Sequence, residues 1–207
     1  MTLAAVIPLA EKAGLAALGA LHDDSDTILL LGPAPGFWSV FSEAPEYKDG
    51  EENPLDRWSS RVITAIAIEV GAAPVFPFGG PPYAPFIRWA LESNQAWASP
   101  VELLVHETAG LMVSYRGGLR FKGEMPLSPE GTKPCHSCAD QPCQTACPVG
   151  ALTAAGYDVP ACKAYIATPD GADCLTNGCR VRRSCPVSSG AKRSAAQSEF
   201  HMRAFLE

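Results

Sequence analysis

The sequence CHSCADQPCQTACP, Cys135 to Pro148, decides the fold of the second half of the chain, because it holds four of the eight cysteines of the 207-residue protein. The other four all follow it: Cys162, Cys174, Cys179 and Cys185. This asymmetry divides the chain into a cysteine-free part and a cysteine-dense part, joined by the Pro-, Gly- and Ser-rich segment Gly123–Pro134. We predict one domain over residues 1–125 and a second over residues 126–207.

The cysteine spacing is close to that of bacterial two-cluster ferredoxins. Those proteins carry C-x2-C-x2-C-x3-C-P, in which three thiolates hold one 4Fe-4S cluster and the fourth holds the other. Here the run is C-x2-C-x4-C-x3-C-P, and a second Cys-Pro pair stands at Cys185–Pro186. Eight thiolates suffice for two clusters, and the crossed pairing predicts two sets of metal ligands. The sets are Cys135, Cys138, Cys143 and Cys185 for one cluster, and Cys147, Cys162, Cys174 and Cys179 for the other.

Other uses of eight cysteines stay open at this point. Two structural zinc ions would also need eight thiolates, but zinc ribbons favour two separated C-x2-C pairs, and only Cys135 and Cys138 have that spacing. A single cluster is a further alternative, and disulfides would require an oxidising compartment. The sequence shows no signal peptide and no membrane span, so we expect a cytoplasmic protein with reduced thiols and no membrane contact.

The overall charge argues against nucleic acid as the default partner. The formal net charge is -6 at pH 7, which gives no electrostatic reason to hold a phosphate backbone. Six basic residues nevertheless lie close together near the end of the sequence: Arg180, Arg182, Arg183, Lys192, Arg193 and Arg203. We expect these residues either to offset buried anionic ligands or to face solvent.

Hydrophobic periodicity in the first part predicts helices mixed with short strands. We expect a helix over Pro8–Ala20 and a strand over Asp26–Gly32 that is buried on both faces. A second helix runs from a cap at Asn53 to a stop at Gly71. β-rich runs on either side of Gly117–Gly118 predict a hairpin. The predicted fold class is therefore α+β, an α/β sandwich, followed by a two-cluster ferredoxin-like domain.

Over roughly residues 95–190 the chain resembles the cobalamin-linked iron–sulfur proteins typified by epoxyqueuosine reductase. The resemblance rests on the cysteine order, on the lone Cys162 that opens CKAYIAT, and on the segment SPVELLVHETAGLMVSYRGG. It implies a cobalamin-binding domain in front of a two-cluster ferredoxin module. Where that family has a carboxylic acid as proton donor, this chain has Trp97, so the resemblance does not extend to epoxide reduction.

The stretch from roughly Thr27 to Phe121 resembles the nitroreductase-like domain of cobalamin-processing decyanases of the CblC type. Three segments carry this resemblance: LLLGPAPGFWSVF, NPLDRWSSRVI and HETAGLMVSYRGG. In that family the last segment lies at the corrinoid and thiol site, which implies cofactor-binding roles for Arg116 and His106. Judged from the residues alone, Arg116 could equally support a hairpin, and His106 could need only a hydrogen-bond partner within the fold.

These features predict an iron–sulfur protein of electron transfer. Its two 4Fe-4S clusters would take electrons from a redox partner protein and pass them to a corrinoid, a thiol small molecule or another acceptor at the first domain. One hypothesis is an enzyme, a corrinoid-linked oxidoreductase. The alternative is a ferredoxin-type electron carrier with no catalytic activity of its own. No individual catalytic residue is predicted.

Overall fold

The structure is a computed structural model that describes residues 2–207. It combines helices with antiparallel sheets, so the fold class is α+β. In chain order, the elements are α1 Leu3–Lys12, β1 Leu15–Asp23, β2 Asp26–Pro33, α2 Phe37–Ser42, α3 Pro45–Lys48, α4 Pro54–Val70, β3 Ala73–Val75, α5 Phe86–Glu92, β4 Ala96–Ala98, β5 Leu104–His106, β6 Gly117–Lys122, β7 Leu152–Thr153, β8 Gly156–Tyr157, α6 Val159–Ile166, α7 Ala172–Asn177, α8 Arg180–Ser184 and α9 Ala195–Leu206. The 3-10 turns are Pro134–His136, Pro142–Gln144, Pro169–Gly171 and Pro186–Ala191.

The chain forms two compact units, and each unit is made of two segments. The first unit contains Met1–Gln95 and Ser114–Gly131, and the second contains Ala96–Val113 and Thr132–Glu207. The predicted single boundary after residue 125 differs from this division, because it leaves Ala96–Val113 in the first domain. The physical reason is packing, since Val101, Val105 and Leu111 are buried in a hydrophobic cluster of the second unit.

A four-stranded antiparallel sheet in the order β1-β2-β6-β3 organises the first unit. Strand β2 lies between β1 and β6, and Ile28, Leu30 and Leu31 on it are 0% exposed. Because neighbouring residues of a strand point to opposite faces, this strand is buried on both faces. The prediction of a doubly buried strand is confirmed.

Helix α4 lies where the sequence periodicity predicts it. Pro54 occupies its first turn, and Gly71 ends it in the left-handed region with a φ of 66°. The predicted cap is wrong: Asn53 is itself left-handed, with a φ of 51°, and its side chain makes no capping hydrogen bond. A side-chain cap normally requires extended backbone at that position. The helix is held instead by its buried face, where the Trp58 ring meets the Phe37 ring edge-on at 5.2 Å between centroids.

Two further predictions of secondary structure from the sequence are wrong. Of the helix predicted over Pro8–Ala20, only the first part is helical: α1 ends at Lys12, and the residues from Leu15 onward belong to β1. Pairing with the buried β2 outweighs the helix propensity of the alanines there. The hairpin predicted at Gly117–Gly118 is part of a single strand, β6. A Cβ on Gly117 would lie 2.7 Å from the Ile63 side chain, so this glycine permits close packing against α4 and does not form a turn.

The second unit contains short pieces of regular structure around a hydrophobic cluster. Strand β4 pairs with β5, and β7 pairs with β8, both antiparallel. The buried members of the cluster are Val101, Val105, Leu111, Cys143, Leu152 and Val181. Across residues 2–207, no helix combines the length and the apolar character needed to cross a bilayer.

Candidate metal centre

Four cysteines of the second unit line one cavity of about 130 Å³. We call them the first tetrad: Cys135, Cys138, Cys143 and Cys185. Three come from the tight run and the fourth from the downstream segment, as in the set that the crossed pairing predicts for one cluster. The volume is well above the ~10–15 Å³ that one water molecule requires. The cavity can therefore hold a group of several atoms.

Prolines set the backbone that carries the first tetrad. Pro134, Pro142 and Pro186 each begin a 3-10 turn, and each is next in sequence to a cysteine of the tetrad. Proline fixes φ near the helical value, which suits the first position of such a turn. The same three residues line the cavity. Because proline has no N–H, their backbone offers the sulfur atoms no hydrogen-bond donor.

Cys143 anchors the first tetrad in the hydrophobic cluster, where its residue surface is 7% exposed. Burial raises the pKa of the Cys143 thiol, and the neighbouring sulfurs of the tetrad raise it further. Burial also raises the pKa of Cys135, against the lowering effect of the positive charge on Lys133. Four thiolates held this close in an apolar place need positive charge between them, which bound metal ions provide.

The remaining cysteines form a second group in the same unit, which we call the second tetrad: Cys147, Cys162, Cys174 and Cys179. Burial raises the pKa of the Cys162 thiol, a hydrogen bond from Tyr157 opposes that rise, and the other three sulfurs add to it. The other three sulfurs therefore lie within electrostatic range of Cys162. This group is the other set of the crossed pairing.

Three helices position the second tetrad. Cys162 lies in α6, whose N-terminus is capped by the Asp158 carboxylate, which accepts a backbone N–H at 2.9 Å. Cys174 lies in α7, and Cys179 immediately precedes α8. Gly178 separates the two helices with a φ of 88°, a conformation that glycine adopts without strain. The turn between α7 and α8 thus brings two candidate ligands of one predicted set together.

Hydrogen-bond donors surround the sulfur atoms of the second tetrad. The backbone N–H of Ala151 donates to Sγ of Cys147 at 3.2 Å. The Tyr157 hydroxyl acts to lower the pKa of the Cys162 thiol, against the larger effect of burial. Burial raises the pKa of Cys174, and a backbone hydrogen bond from Arg180 opposes this rise. Donors of this kind stabilise negative charge on sulfur.

Two half-buried arginines in the second unit form no ion pair with a carboxylate in the described chain. Arg182 donates from Nη1 to the Leu111 carbonyl oxygen at 2.5 Å. Burial lowers the pKa of Arg182, while the charge on Cys179 acts in the opposite direction. Burial and then the charge of Arg182 lower the pKa of Arg193 to about 10. A buried cation is costly without a nearby anion, and Cys179 is the cysteine whose charge acts on Arg182.

The other arginines of the basic segment are paired with carboxylates. Asp173 accepts from Nε of Arg180 at 2.7 Å and from Nη2 of Arg183 at 2.5 Å. The hydrogen bond from Arg180 is the main cause that lowers the pKa of Asp173 to about 2. Arg203 pairs with Glu199 one helical turn away. The five arginines near the end of the sequence therefore form two groups: three are paired with carboxylates at the surface, and Arg182 and Arg193 are half-buried.

His106, a predicted cofactor-binding residue, belongs to the second unit and shapes a turn there. Its Nδ1 accepts from the backbone N–H groups of Thr108 at 3.1 Å and Ala109 at 3.3 Å. Its backbone exchanges two hydrogen bonds with Gly110, each of 3.0 Å. The residue is 4% exposed. These contacts favour the structural role that the sequence left as the alternative.

Arg116, the other predicted cofactor-binding residue, belongs to the first unit. Its guanidinium pairs with the Asp56 carboxylate, donates from Nε to Oγ of Ser59 at 3.1 Å, and lies 5.6 Å from the centre of the Phe78 ring. Asp56 and Phe78 also line an open cavity of about 640 Å³ at the start of α4. The alternative role in a hairpin is wrong because no hairpin forms at Gly117. Arg116 therefore has a fixed place behind a cavity large enough for a small molecule.

The donor set of the two tetrads fits iron–sulfur clusters. All eight cysteines are free thiols. Within residues 2–207, no three His, Cys, Asp or Glu side chains converge as they would around a single metal ion. In a cubane each thiolate binds a different iron, so the four sulfurs stand further apart than around one zinc ion. A purely thiolate donor set is the soft type that iron–sulfur clusters use.

Tyr157, Arg182 and Arg193 are not predicted as site residues by the sequence. Arg182 carried a partial signal, since it lies three residues after Cys179 in a segment expected either to offset anions or to face solvent. Tyr157 carried none, because its contact with Cys162 depends on the corner between β8 and α6. Positions around a ligand are set by tertiary structure and not by spacing.

Comparisons of the chain with protein-family models, with curated proteins and with solved structures found no match. The two family resemblances therefore stay predictions.

Proposed function

We propose that this chain is an iron–sulfur redox protein that holds two 4Fe-4S clusters, one on each tetrad. The observation that carries the proposal is the cavity lined by the four sulfurs of the first tetrad, which come from two distant segments of the chain. Two half-buried arginines without carboxylate partners add support, because they need an anion beside them. Zinc is the weaker reading, since zinc ribbons favour two separated C-x2-C pairs and only Cys135 and Cys138 have that spacing.

The chain's residues would hold and tune the clusters. The clusters themselves accept and release single electrons. The hydrophobic cluster around Cys143 would exclude water from the first tetrad. Donors from Ala151 and Tyr157 would stabilise the sulfurs of the second tetrad. A cytoplasmic location, in which thiols stay reduced, suits this role.

The acceptor in this proposal is a corrinoid or another small molecule held by the first unit. We also propose the finer fold assignment, a nitroreductase-like or CblC-like first unit and a two-cluster ferredoxin-like second unit. The cavity of about 640 Å³ and the fixed Arg116 guanidinium behind it support a binding role for the first unit. In this form the protein would be a corrinoid-linked oxidoreductase.

The alternative is a ferredoxin-type electron carrier without catalytic activity of its own. One observation favours it: Arg116 is already engaged by Asp56, Ser59 and Phe78, so the fold accounts for it without a ligand. The two forms are separated by adding cobalamin to the iron-loaded protein. A shift of the visible cobalamin spectrum, followed by reduction that requires the clusters, supports the enzyme. Absence of binding leaves the carrier.

Metal analysis of protein purified without air tests the proposal itself. We expect about eight iron and eight sulfide ions per chain, since each tetrad holds four of each. Loading with zinc alone, or bridging of the cysteines by disulfides, would overturn it.

Paired cysteine variants test the crossed pairing of the ligands. C143A/C185A removes two thiolates of the first tetrad, so one 4Fe-4S cluster should keep its wild-type electron paramagnetic resonance (EPR) signal, with about four iron ions bound. C143A/C147A removes one thiolate from each tetrad, so neither cluster should keep that signal. The two variants lack the same number of thiolates, which makes each a control for the other. Pairing within the tight run alone predicts the reverse result.

A further inference from the structure

One wall of the first-tetrad cavity comes from a segment that precedes all of the cysteines. This segment is Ala96–Val113, which belongs to the second unit although the chain on either side of it belongs to the first. We call it the inserted segment. Its cavity-lining residues are Ser99, Pro100, Val105 and Leu111. Val105 and Leu111 are each 1% exposed and lie in the hydrophobic cluster that also contains Cys143.

Both backbone groups of Leu111 are held by residues that follow the cysteine-rich run. Its N–H donates to Oγ of Ser188 at 3.0 Å, and its carbonyl oxygen accepts from Nη1 of Arg182 at 2.5 Å. Ser188 is buried in the 3-10 turn that follows Cys185, and its own N–H donates to the Cys185 carbonyl oxygen at 2.9 Å. A single serine therefore joins the backbone of a tetrad cysteine to the backbone of the inserted segment.

Two glycines let the inserted segment and the Ser188 turn approach each other closely. A Cβ on Gly110 would lie 2.5 Å from the backbone nitrogen of Ser188, and a Cβ on Gly190 would lie 2.1 Å from the Thr108 carbonyl oxygen. Both distances are too short for atoms that are not bonded, so only glycine fits at these positions. The two stretches of backbone thus pack with no side chain from either glycine between them.

Arg182 adds a charged donor to this contact. It forms no ion pair with a carboxylate in the described chain. A hydrogen bond from a charged donor is stronger than one between neutral groups. The next residue of the inserted segment, Met112, has its Sδ atom 3.9 Å from Nη1 of Arg193. The last residues of the inserted segment are therefore held from α8, from the Ser188 turn and from Arg193.

On the basis of the two-cluster function, we propose that Ser188 and Arg182 are positioning residues of the first tetrad. Through Leu111 they hold the inserted segment in place as a wall of the cluster site, and Ser188 also holds the turn that follows Cys185. The wall keeps water from the cluster. Solvent access stabilises the reduced, more negative form of a cluster and raises its potential, so the closed wall keeps the potential of the first tetrad low.

S188A tests the serine, with S189A as the matched control. Ser189 is the next residue of the same turn, but it is exposed and its hydroxyl donates to the Pro186 carbonyl oxygen at 3.1 Å. The iron-loaded full-length protein is titrated with a reductant and followed by EPR, and C143A/C185A identifies the signal of the second tetrad. S188A should raise the potential of the first tetrad and speed its loss of iron to a chelator by about fivefold, as expected for one buried hydrogen bond. S189A should behave like the wild type.

Arginine variants test the other contact with Leu111 independently of the serine. R182M removes the donor and keeps an apolar side chain, so it should shift the first tetrad in the same direction as S188A. R182K keeps a charged donor and should restore most of the wild-type potential. R203M is the control, because Arg203 is an exposed surface partner of Glu199.

Loss of the first-tetrad signal alone in S188A or R182M would support the proposal in a stronger form. Two outcomes overturn it: wild-type potentials and iron release in both variants, or changes confined to the second tetrad. If the wild-type protein binds no iron, the proposed function itself fails, which is a distinguishable result.

Discussion

Asp23 ties three parts of the first unit together at the end of β1. Its carboxylate accepts from Nη2 of Arg88 at 2.9 Å, Nε1 of Trp89 at 2.9 Å and Nη2 of Arg120 at 2.7 Å. Burial alone would raise the pKa of Asp23, but these hydrogen bonds outweigh it and hold the pKa below its ordinary value of 3.8. A single ionised side chain therefore joins β1, α5 and β6.

We expect D23N to lower the free energy of unfolding of the first unit by about 2 kcal/mol at neutral pH, because charge-assisted hydrogen bonds are lost. The folded pKa lies below the unfolded value of 3.8, so the contribution is complete above pH 3.8 and is lost as the pH falls through the folded value. Urea unfolding followed by tryptophan fluorescence measures the difference. D24N changes an exposed neighbour and should leave stability unchanged. A wild-type and D23N difference that grows in acid would contradict this account.

At the scale of elements, α7 and the residue before α8 carry two candidate ligands of the second tetrad, Cys174 and Cys179, on either side of one turn. Asp173 in α7 accepts from Arg180 and Arg183 in α8, which fixes the two helices relative to each other. The Gly178 turn between them has no hydrophobic side chain of its own to hold it. The geometry of Cys174 and Cys179 therefore depends on this surface ion network.

We expect D173N to speed the loss of iron from the second tetrad to a chelator by about two- to fivefold, because partly exposed ion pairs contribute modestly. The first tetrad should release iron at the wild-type rate. Iron release followed by absorbance, with EPR to distinguish the tetrads, gives both rates. D170N is the control, because Asp170 lies on the same surface but accepts through its backbone carbonyl and not its carboxylate. Equal release rates in D173N and D170N would contradict the role of the network.

Whether the sequence predicts an element correctly depends on which interactions stabilise that element. Helix α4 and strand β2 are marked by apolar residues at helical spacing and by an unbroken apolar run, and both predictions are confirmed. Strand β1 is alanine-rich, so its sequence predicts a helix. Its strand conformation comes instead from pairing with β2. The two glycines at the start of β6 predict a turn from sequence alone. The close approach of Gly117 to Ile63 is a tertiary contact. Local patterns cannot report such contacts.

At the scale of the whole molecule, the two units differ in what stabilises them. The first has a four-stranded sheet and the long helix α4. The second has strands of two or three residues and a hydrophobic cluster that includes a candidate ligand, Cys143. A small core of this kind usually needs a metal or disulfides in addition to packing, and all eight cysteines are free. The stability of the second unit should therefore depend on bound metal.

We expect removal of iron by a chelator under reducing conditions to unfold most of the second unit and to leave the first unit folded, because metal binding and folding are coupled. Hydrogen–deuterium exchange read by mass spectrometry locates the change. Peptides from 132–207 should lose protection, and peptides from β2 and α4 should keep it. Equal protection of 132–207 with and without iron would show that the unit folds without metal.

The sequence could predict that Cys135, Cys138, Cys143 and Cys185 lie together, because residue type and spacing define candidate metal ligands, and these four line one cavity. Their role as metal ligands stays a prediction. The sequence could not predict the residues around them. Arg182 differs from Arg180 and Arg183 in being more buried, in donating to the Leu111 carbonyl oxygen, and in pairing with no carboxylate of the described chain. The environment of a ligand is a property of the folded unit, and it sets the potential that the ligand type leaves undetermined.

The interleaving of the two units along the chain has a consequence for biosynthesis. Residues 96–113 leave the ribosome before the last strand of the first unit, β6, and well before the cysteines with which Val105 and Leu111 are buried. During translation, this short apolar segment stays unpaired until the later residues of its own unit have been synthesised. If the chain binds clusters as proposed, their loading is a late event, and slow loading should show first as proteolysis near residues 96–113.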